Sequence, residues 1–369
     1  MAATKEHVPG NDECVQTLQM ALKKAQEGMV GYVAIVMVEG AQYSCGVSGN
    51  INLEPIIEEG LNKCINDIIK PAQANRKVPE RNETLDESYR VYNVAMGPAS
   101  YDVIPWLIEA EMIRRKAGAP APLKIAFWEG KDKSGAQAPN RRRMLDAVMK
   151  PAVELIGGVL DDKAMFGHEK ALYTVQDVQK KALEGEEVPF LKAPESSVEA
   201  MKKWLGNRKK IITLTLRETD EWDHRNSQVS EWVKFAGYLE SKGYTPIIVR
   251  DTAKCFDKPV SKYEECPQAS LNIHIRMALY ELADCNMMCS NGPMNLCLFS
   301  HKPWAMFVIM EEEGSVYAPS TPSFSKAHFG LDPDIDQQHV WCTEKQRIVR
   351  KEDKYENLVE WFEKVYEDG

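Results

Sequence analysis

A run of small and polar residues near position 290 constrains the fold more than any other feature of this chain. It reads Ser290-Asn291-Gly292-Pro293-Met294-Asn295-Leu296. A helix-like segment, Ile273 to Ala283, and an apolar run, Cys285 to Cys289, precede it, and the apolar run Trp304 to Ile309 follows. This order predicts helix, strand, loop, helix and strand, which is the repeating pattern of an α/β sheet.

The loop itself predicts an anion site. A Gly-Pro turn between a strand and a helix leaves backbone N–H groups open at the helix N-terminus, where an anion is stabilised. Small residues also let a ligand approach the backbone closely. The residues that we expect to contact the anion are Ser290, Asn291, Gly292, Pro293, Met294 and Asn295.

An earlier part of the chain repeats the α/β pattern. Tyr89 to Met96 is predicted as a strand, Tyr101 to Lys116 as a helix and Leu123 to Trp128 as the next strand. Arg141 to Ile156 is predicted to be helical. We assign residues 89–195 to a first Rossmann-like domain on this basis.

A second Rossmann-like domain is predicted over residues 196–369. Its first strand is Ile211 to Leu216, followed by a helix, Gln228 to Lys242, and a strand, Thr245 to Val249. The segment around residue 290 belongs to this domain, and a final amphipathic helix runs from Tyr355 to Tyr366. Two consecutive α/β domains imply a cleft between them, in which small ligands usually bind.

A small N-terminal α/β hairpin module is predicted over residues 1–75. Two amphipathic helices, Cys14 to Gly28 and Leu53 to Ile69, flank a hairpin that spans Tyr32 to Val47. Because the module is too small for a large core, we expect it to dock on the rest of the chain or on a second copy. Residues 76–88 are polar and rich in turn formers, which predicts a linker.

Further candidate residues stand where predicted strands end. Gly97, Pro98 and Ser100 form a loop after the strand that begins at Tyr89, and Asp102 opens the next helix. In a doubly wound fold this loop faces the cleft, so it either binds a ligand or is a simple turn. Asp102 is our candidate catalytic base, although a helix dipole alone also favours an acidic residue there.

Charged residues follow the strand Ile211 to Leu216. Arg217 leaves this strand at its carboxyl end, and a guanidinium group matches phosphate oxygens in a bidentate manner. An ion pair with a neighbouring carboxylate is the alternative for Arg217. Glu218 and His224 of the same loop are further catalytic candidates, and Arg276 of the helix before the loop is a further anion ligand.

Composition limits the class of protein. The 369 residues are 44% hydrophobic and 27% charged, as in a globular protein, and the net charge of −9 opposes strong binding to nucleic acid. No stretch reaches the roughly 18 apolar residues that span a membrane, and no signal sequence is recognisable. The nine cysteines lack a zinc-ligand pattern, so we predict free thiols, no bound metal and a cytoplasmic location.

These motifs resemble those of glycosyltransferases of the GT-B fold, above all the heptosyltransferase and fucosyltransferase-like group. The heptosyltransferase loop Ser/Asp-Ser-Gly-Pro-x-His-Leu, which holds the donor diphosphate, is matched at Gly292, Pro293 and Leu296. Asn291 replaces the second Ser, and Asn295 replaces His.

The second motif is His-x-Arg-Arg-x-Asp of the fucosyltransferase-like enzymes. The segment from Leu214 to Asp220 keeps one Arg and the Asp of this motif, and Leu214 stands in place of the His. The resemblance covers roughly residues 89 to 367, and the final helix is similar to one that packs back across the cleft in this fold.

The resemblance implies a metal-independent transferase with a nucleotide-diphosphate sugar as donor, an unknown hydroxyl acceptor and no cofactor. The second Rossmann-like domain would hold the donor, and the first would present the acceptor to Asp102. Two other functions stay open. A nucleotide-sugar epimerase would use Glu218 and His224, and a non-catalytic binding or assembly protein would carry a degenerate site and associate through residues 1–75.

Overall fold

The computed structural model describes residues 36–39, 42–45, 88–95, 97–120, 122–130, 137–161, 175–220, 223–311 and 321–368. The chain divides into two compact units, Met1–Thr84 and Leu85–Gly369. In the first unit, strands β1 (Val36–Glu39) and β2 (Gln42–Cys45) pair antiparallel, as the predicted hairpin requires. The two flanking helices predicted there, the linker and the self-association surface lie outside the described residues.

The second unit begins with a parallel sheet of three described strands. Their bounds and those of the helices are β3 (Tyr89–Asn93), α1 (Val103–Lys116), β4 (Lys124–Trp128), α2 (Pro139–Met144), α3 (Lys150–Leu155) and β5 (Val159–Leu160). A π-helical turn, Leu145–Met149, joins α2 to α3, so this stretch is helical throughout as predicted. The strand order is β3-β4-β5, with Tyr89 opposite Lys124 and Lys124 opposite Val159.

A second parallel sheet follows two connecting helices. The elements are α4 (Val175–Leu183), α5 (Glu195–Leu205), β6 (Ile211–Thr215), α6 (Val229–Ser241), β7 (Thr245–Val249), β8 (Glu264–Glu265), α7 (Pro267–Leu271), α8 (Ile273–Leu282), β9 (Cys285–Cys289), α9 (Met294–Leu298), β10 (Trp304–Phe307), α10 (Pro322–Phe324), β11 (Gln346–Val349) and α11 (Tyr355–Trp361). The described strands lie in the order β11-β10-β9-β6-β7-β8 and are all parallel. In chain order, β7 and β8 are therefore added on one side of β6, and β9, β10 and β11 are then added on the other side of β6.

The predicted α/β class with two Rossmann-like sheets is thereby confirmed. The strands predicted from the sequence in this unit are each present within three residues of their expected ends. Three of them, β6, β9 and β10, are buried along their whole length, because helices cover both faces of a parallel sheet. One hydrophobic cluster takes residues from both sides of position 195, among them Val153 and Met277, so the division of the unit there stays a prediction.

The final helix lies on the half of the unit that carries the second sheet. Phe362, in the π-helical turn that continues α11, packs edge-on against Phe235 of α6 with ring centroids 5.8 Å apart. Tyr238 of α6 donates a hydrogen bond of 2.7 Å to Glu363. The apolar face of the helix thus finds aromatic partners on α6, and its expected packing across the cleft stays a prediction.

The buried ring of His339 predicts a pH dependence of stability. Burial, together with the charge of Arg350, lowers the pKa of His339 to about 3 in the folded protein. The unfolded chain binds a proton at a pKa of about 6.5, so protonation favours unfolding as the pH falls below that value. We expect this residue to remove up to about 1.4 kcal/mol of stability per pH unit between these two pKa values.

Urea unfolding of His339→Phe at several pH values between 7 and 5 checks this expectation. The phenyl ring keeps the stacking on Trp341, whose centroid is 4.5 Å from that of His339. The variant should lose stability less steeply with falling pH than the wild type, whereas the exposed His301→Gln should keep the wild-type slope. Equal slopes for all three proteins would contradict the assignment.

Candidate functional site

The order of strands in the second sheet places a crevice between the carboxyl ends of β6 and β9. Connections leave these two neighbouring strands in opposite directions, and in open α/β sheets ligands bind at such a switch point. Arg217 follows β6 directly after Leu216, and Ser290 follows β9. The two residues that the sequence singled out from distant segments therefore lie at the same edge of the sheet.

A second arginine joins Ser290 at this crevice. Arg225 donates hydrogen bonds from Nη2 to Oγ of Ser290 at 2.8 Å and to its carbonyl oxygen at 3.3 Å. Burial of the side chain, together with the positive charge of Arg217, lowers the pKa of Arg225 to about 10. Two guanidinium groups at this edge of the sheet, of which Ser290 holds that of Arg225, favour the binding of an anion.

The loop between β6 and α6 is held by its own side chains. Ser227 accepts a hydrogen bond of 2.9 Å from the backbone N–H of Arg217, and its N–H donates to the Arg217 carbonyl at 2.9 Å. Asn226 accepts from the N–H of Thr219 and donates to its carbonyl. The backbone of Arg217 is therefore fixed before any ligand binds.

Two cavities border this loop. The first has a volume of ≈ 20 Å³ and is lined by His224, Arg225, Asn226, Cys289, Ser290, Phe307, Val308, Ile309, Glu311 and Asp353. The second, of ≈ 200 Å³, is lined by Arg217, Glu218, Thr219, Asp220, Asn226, Ser227, Val229 and Lys254. Arg225 lines the first cavity and Arg217 the second, and Asn226 lines both.

Some backbone N–H groups of the Gly-Pro loop already donate hydrogen bonds to other groups of the protein. The N–H of Ser290 donates to the Phe307 carbonyl in the sheet, and that of Met294 donates to Oδ1 of Asn291 at 3.1 Å. Pro293 has no N–H, and the N–H groups of Asn291 and Gly292 have no acceptor among the described residues. The backbone N–H groups of Asn291 and Gly292 are therefore the loop donors that could contact the predicted anion.

The Gly-Pro loop touches the loop that follows β3. A Cβ atom added to Gly292 would lie 2.8 Å from Cδ2 of Tyr101, so the Tyr101 ring covers this glycine. Asn295 donates from Nδ2 to the Tyr101 carbonyl oxygen at 3.3 Å. The carboxyl edges of the two sheets therefore face each other, and their loops meet.

Hydrogen bonds fix the loop after β3 on its own sheet. The N–H of Gly97 donates to the Asn93 carbonyl, and the Tyr92 hydroxyl donates to the Pro98 carbonyl at 2.8 Å. Arg141 of α2 donates to the Gly97 carbonyl at 2.9 Å and also to that of Val94. This arginine therefore supports the loop.

Asp102 lies at the N-terminus of α1 with a fixed side chain. Ser100 donates from Oγ to Oδ2 of Asp102 at 2.8 Å, and the same Oγ accepts from the Asp102 N–H at 3.1 Å. The carboxylate is thus oriented by its neighbour in the acceptor-side loop. This geometry suits a group that must present one oxygen to a ligand.

Other sequence candidates have partners within the protein. Glu218 accepts hydrogen bonds from Arg250 on both carboxylate oxygens, at 2.7 and 2.8 Å, and this buried ion pair disfavours a role as a base. Arg276 is only 3% exposed and donates from Nε to the Ala269 carbonyl at 2.6 Å. His224 lines the first cavity beside Ser290.

The sequence did not single out His328 and Asp353. His328 lies in a π-helical turn, Ser325–Phe329, and stacks on Phe324 with a centroid distance of 4.8 Å. Burial lowers the pKa of His328, the charge of Asp102 raises it, and that of Arg225 lowers it.

Asp353 is buried beneath the first cavity. It accepts hydrogen bonds from Trp232 Nε1 at 2.6 Å, from the Gln228 N–H at 2.9 Å and from the Cys289 thiol at 3.0 Å. Pattern analysis gave no signal for either residue, since each belongs to a turn-rich segment remote in sequence.

The described residues contain no group of three or more His, Cys, Asp or Glu side chains that would hold a metal ion. No helix in this part of the chain is long and apolar enough to cross a membrane.

Comparisons with known proteins give structural neighbours only. The sequence matches no family model and no curated protein. The fold is similar to that of an E. coli ADP-heptose LPS heptosyltransferase II, at 11% identity over 76% of this chain and 78% of that one, with a TM-score of 0.35.

In two further solved structures, the part that aligns with this chain is almost the whole of the other chain. A glycosyl transferase family 9 protein from Veillonella parvula shares 12% identity over 77% of this chain and 99% of its own, with a TM-score of 0.43. The E. coli heptosyltransferase WaaC with ADP shares 12% sequence identity over 76% of this chain and 100% of its own, with a TM-score of 0.41. Heptosyltransferases, which the sequence motifs resemble, are thus among the solved structures similar to this chain, but such identities assign neither donor nor acceptor.

The contact between Gly292 and Tyr101 yields a stability prediction. Gly292→Ala should lower the free energy of unfolding by about 1–3 kcal/mol, because the new methyl group collides with the aromatic ring. In the Tyr101→Ala background the same change should cost much less. Urea unfolding of the four proteins measures this coupling.

Gly237→Ala in α6 is the matched control. Its Cβ would approach only the terminal hydroxyl of Tyr263, at 3.1 Å, and alanine favours a helix interior by about 1 kcal/mol. This variant should therefore not be destabilised. An equal cost of Gly292→Ala with and without Tyr101 would contradict the contact.

Proposed function

We propose that this protein is a glycosyltransferase that moves a sugar from a nucleotide-diphosphate donor to a hydroxyl acceptor. The observation that supports this proposal is that the carboxyl edges of the two sheets face each other, with arginines at one edge and a carboxylate at the other. Arg217, Arg225 and Ser290 stand at the switch point of the second sheet, and Asp102 stands on the facing loop of the first. The motif resemblance supports diphosphate as the anion.

The two arginines would stabilise the leaving group. As the bond from the sugar to the diphosphate breaks, negative charge develops on the phosphate oxygens. Guanidinium groups fixed in a partly buried crevice stabilise that charge more strongly than water does, because they need no reorganisation. Since they supply the positive charge, the proposal includes neither a metal ion nor a cofactor.

Asp102 would act as the general base. The hydrogen bond from Ser100 is to Oδ2, and Oδ1 is the oxygen that we assign to the acceptor hydroxyl. Removal of the hydroxyl proton makes the acceptor oxygen a better nucleophile toward the anomeric carbon. The acceptor-side loop of Gly97, Pro98 and Ser100 would position that hydroxyl.

A nucleotide screen tests the proposal first. UDP, GDP, ADP and CMP, with their sugar forms, are added to the full-length protein while its melting temperature is followed. A ligand that binds only the folded state raises this temperature by mass action. No shift with any of them would contradict the proposal and favour a non-catalytic function.

Arg217→Ala should weaken binding of the active nucleotide by about 1.5–3 kcal/mol, because a charge-assisted contact with phosphate is lost. Isothermal titration calorimetry measures the change. Lys202→Ala is the matched control, since it removes one exposed positive charge from α5 and should leave the affinity unchanged. Unchanged affinity in Arg217→Ala would remove this residue from the site.

Asp102→Asn should reduce sugar transfer at least about 100-fold while nucleotide affinity stays near that of the wild type. The amide keeps the size of the carboxylate but does not accept the proton. Turnover with the donor identified by the screen and nucleotide affinity are measured on the same preparation. Turnover at the wild-type rate would end the assignment of Asp102 as the base.

A further inference from the structure

Three buried side chains, those of Ser227, Cys289 and Asp353, are joined by hydrogen bonds beneath the loop that carries Arg217. The backbone N–H of Arg217 donates to Oγ of Ser227 at 2.9 Å, and this Oγ donates to Sγ of Cys289 at 3.3 Å. The thiol of Cys289 in turn donates to Oδ2 of Asp353 at 3.0 Å. We refer to Ser227, Cys289 and Asp353 as the buried network.

The direction of these hydrogen bonds follows from the groups at the two ends of the network. A backbone N–H only donates, so the oxygen of Ser227 accepts from Arg217 and directs its own hydrogen to the sulfur. A carboxylate only accepts, so the thiol of Cys289 directs its hydrogen to Asp353. Burial and the charge of Asp353 raise the pKa of Cys289 well above that of an ordinary thiol, so the thiol keeps the hydrogen that it donates.

Asp353 connects the two sides of the crevice through this network. Its carboxylate also accepts hydrogen bonds from the backbone N–H and the side-chain amide of Gln228, at 2.9 and 3.2 Å, where helix α6 begins. Cys289 is the last residue of β9 and is followed by Ser290, which holds Arg225. One carboxylate therefore fixes the end of the loop after β6 and the residue from which the loop after β9 starts.

The negative charge of Asp353 is by itself unfavourable for an anion site. Asp353 lines the first cavity together with Arg225, and like charges repel at such short range. The carboxylate accepts four hydrogen bonds from the elements that frame the crevice. Its favourable contribution to anion binding is therefore the geometry that these hydrogen bonds impose.

We propose that Asp353 is a positioning residue that, through Cys289 and Ser227, holds Arg217 in place for the binding of an anion. This inference rests on the proposed function, because the anion is the donor diphosphate. Asp353 does not need to contact the ligand. By fixing the backbone of Arg217 before the anion arrives, the network reduces the conformational entropy that binding would otherwise cost.

Pyrophosphate binding to the full-length protein, measured by calorimetry, tests the positioning role. Cys289→Ala removes the link between Ser227 and Asp353 and should weaken binding about three- to tenfold. Cys289→Ser supplies a hydroxyl group, which also accepts and donates, and should recover most of the lost affinity. Cys285→Ala is the matched control, because it truncates another buried thiol of β9 outside the network and should leave the affinity unchanged whatever it costs in stability.

Asp353→Asn separates positioning from charge. The amide places an NH2 donor where the carboxylate has a second acceptor oxygen, so the loss of positioning predicts weaker pyrophosphate binding. Removal of a negative charge from the first cavity, acting alone, predicts tighter binding. Weaker binding supports the proposal, and tighter binding overturns it.

Ser227→Ala, which interrupts the network one step nearer to Arg217, replaces Cys289→Ala if the latter does not fold, as judged by circular dichroism. If Cys289→Ala binds pyrophosphate like the wild type while Arg217→Ala still weakens binding, the positioning role is overturned and the proposed function stands. Equal losses in Cys289→Ala and Cys289→Ser also overturn it, because the hydrogen bonds would then not matter. Absence of pyrophosphate binding to the wild type overturns both proposals.

Discussion

The reversal of strand order between β6 and β9 is the constraint on which the candidate site depends. The chain extends the sheet from β6 through β7 and β8, then returns to add β9, β10 and β11 on the other side. The loops that leave β6 and β9 diverge, and a crevice remains at the carboxyl edge. Backbone geometry thus creates the opening, and the side chains that border it decide what it binds.

The two halves of the site meet where Tyr101 contacts Gly292 and accepts a hydrogen bond from Asn295. Gly292 has no side chain, and the ring of Tyr101 takes the space that a Cβ would fill. This approach brings the start of α1, and with it Asp102, to the Gly-Pro loop of the second sheet. The glycine that the sequence suggested as a phosphate contact therefore also serves the packing of two loops against each other.

The sequence predicted the parallel sheets because their strands are buried, short and bounded by turn residues, as in Ile211 to Leu216 and Cys285 to Cys289. It also located Arg217 and Ser290, because strand ends in such a sheet share one edge. It did not predict β11, whose alternating burial is that of a half-covered edge strand. Nor did it predict the partners of Glu218, because pairing with Arg250 depends on tertiary proximity alone.

His328 and Asp353 show the same limit. Each belongs to a turn-rich region without periodicity, and Asp353 reaches the first cavity only when the sheet is assembled. A pattern of hydrophobic residues describes the face that an element buries. It carries no information about which distant polar side chain will stand beside the buried face.

The arginines at this edge differ in how their charges are compensated, and the difference supports a role in binding an anion. Arg250, which follows β7, has Glu218 at 2.7 Å and Glu265 at 4.0 Å. Arg225 is held by Ser290 and forms no ion pair with a carboxylate of the described residues, and its burial together with the charge of Arg217 lowers its pKa to about 10. Since a buried cation without a paired counter-charge is costly, an anionic ligand is the natural counter-charge for Arg225.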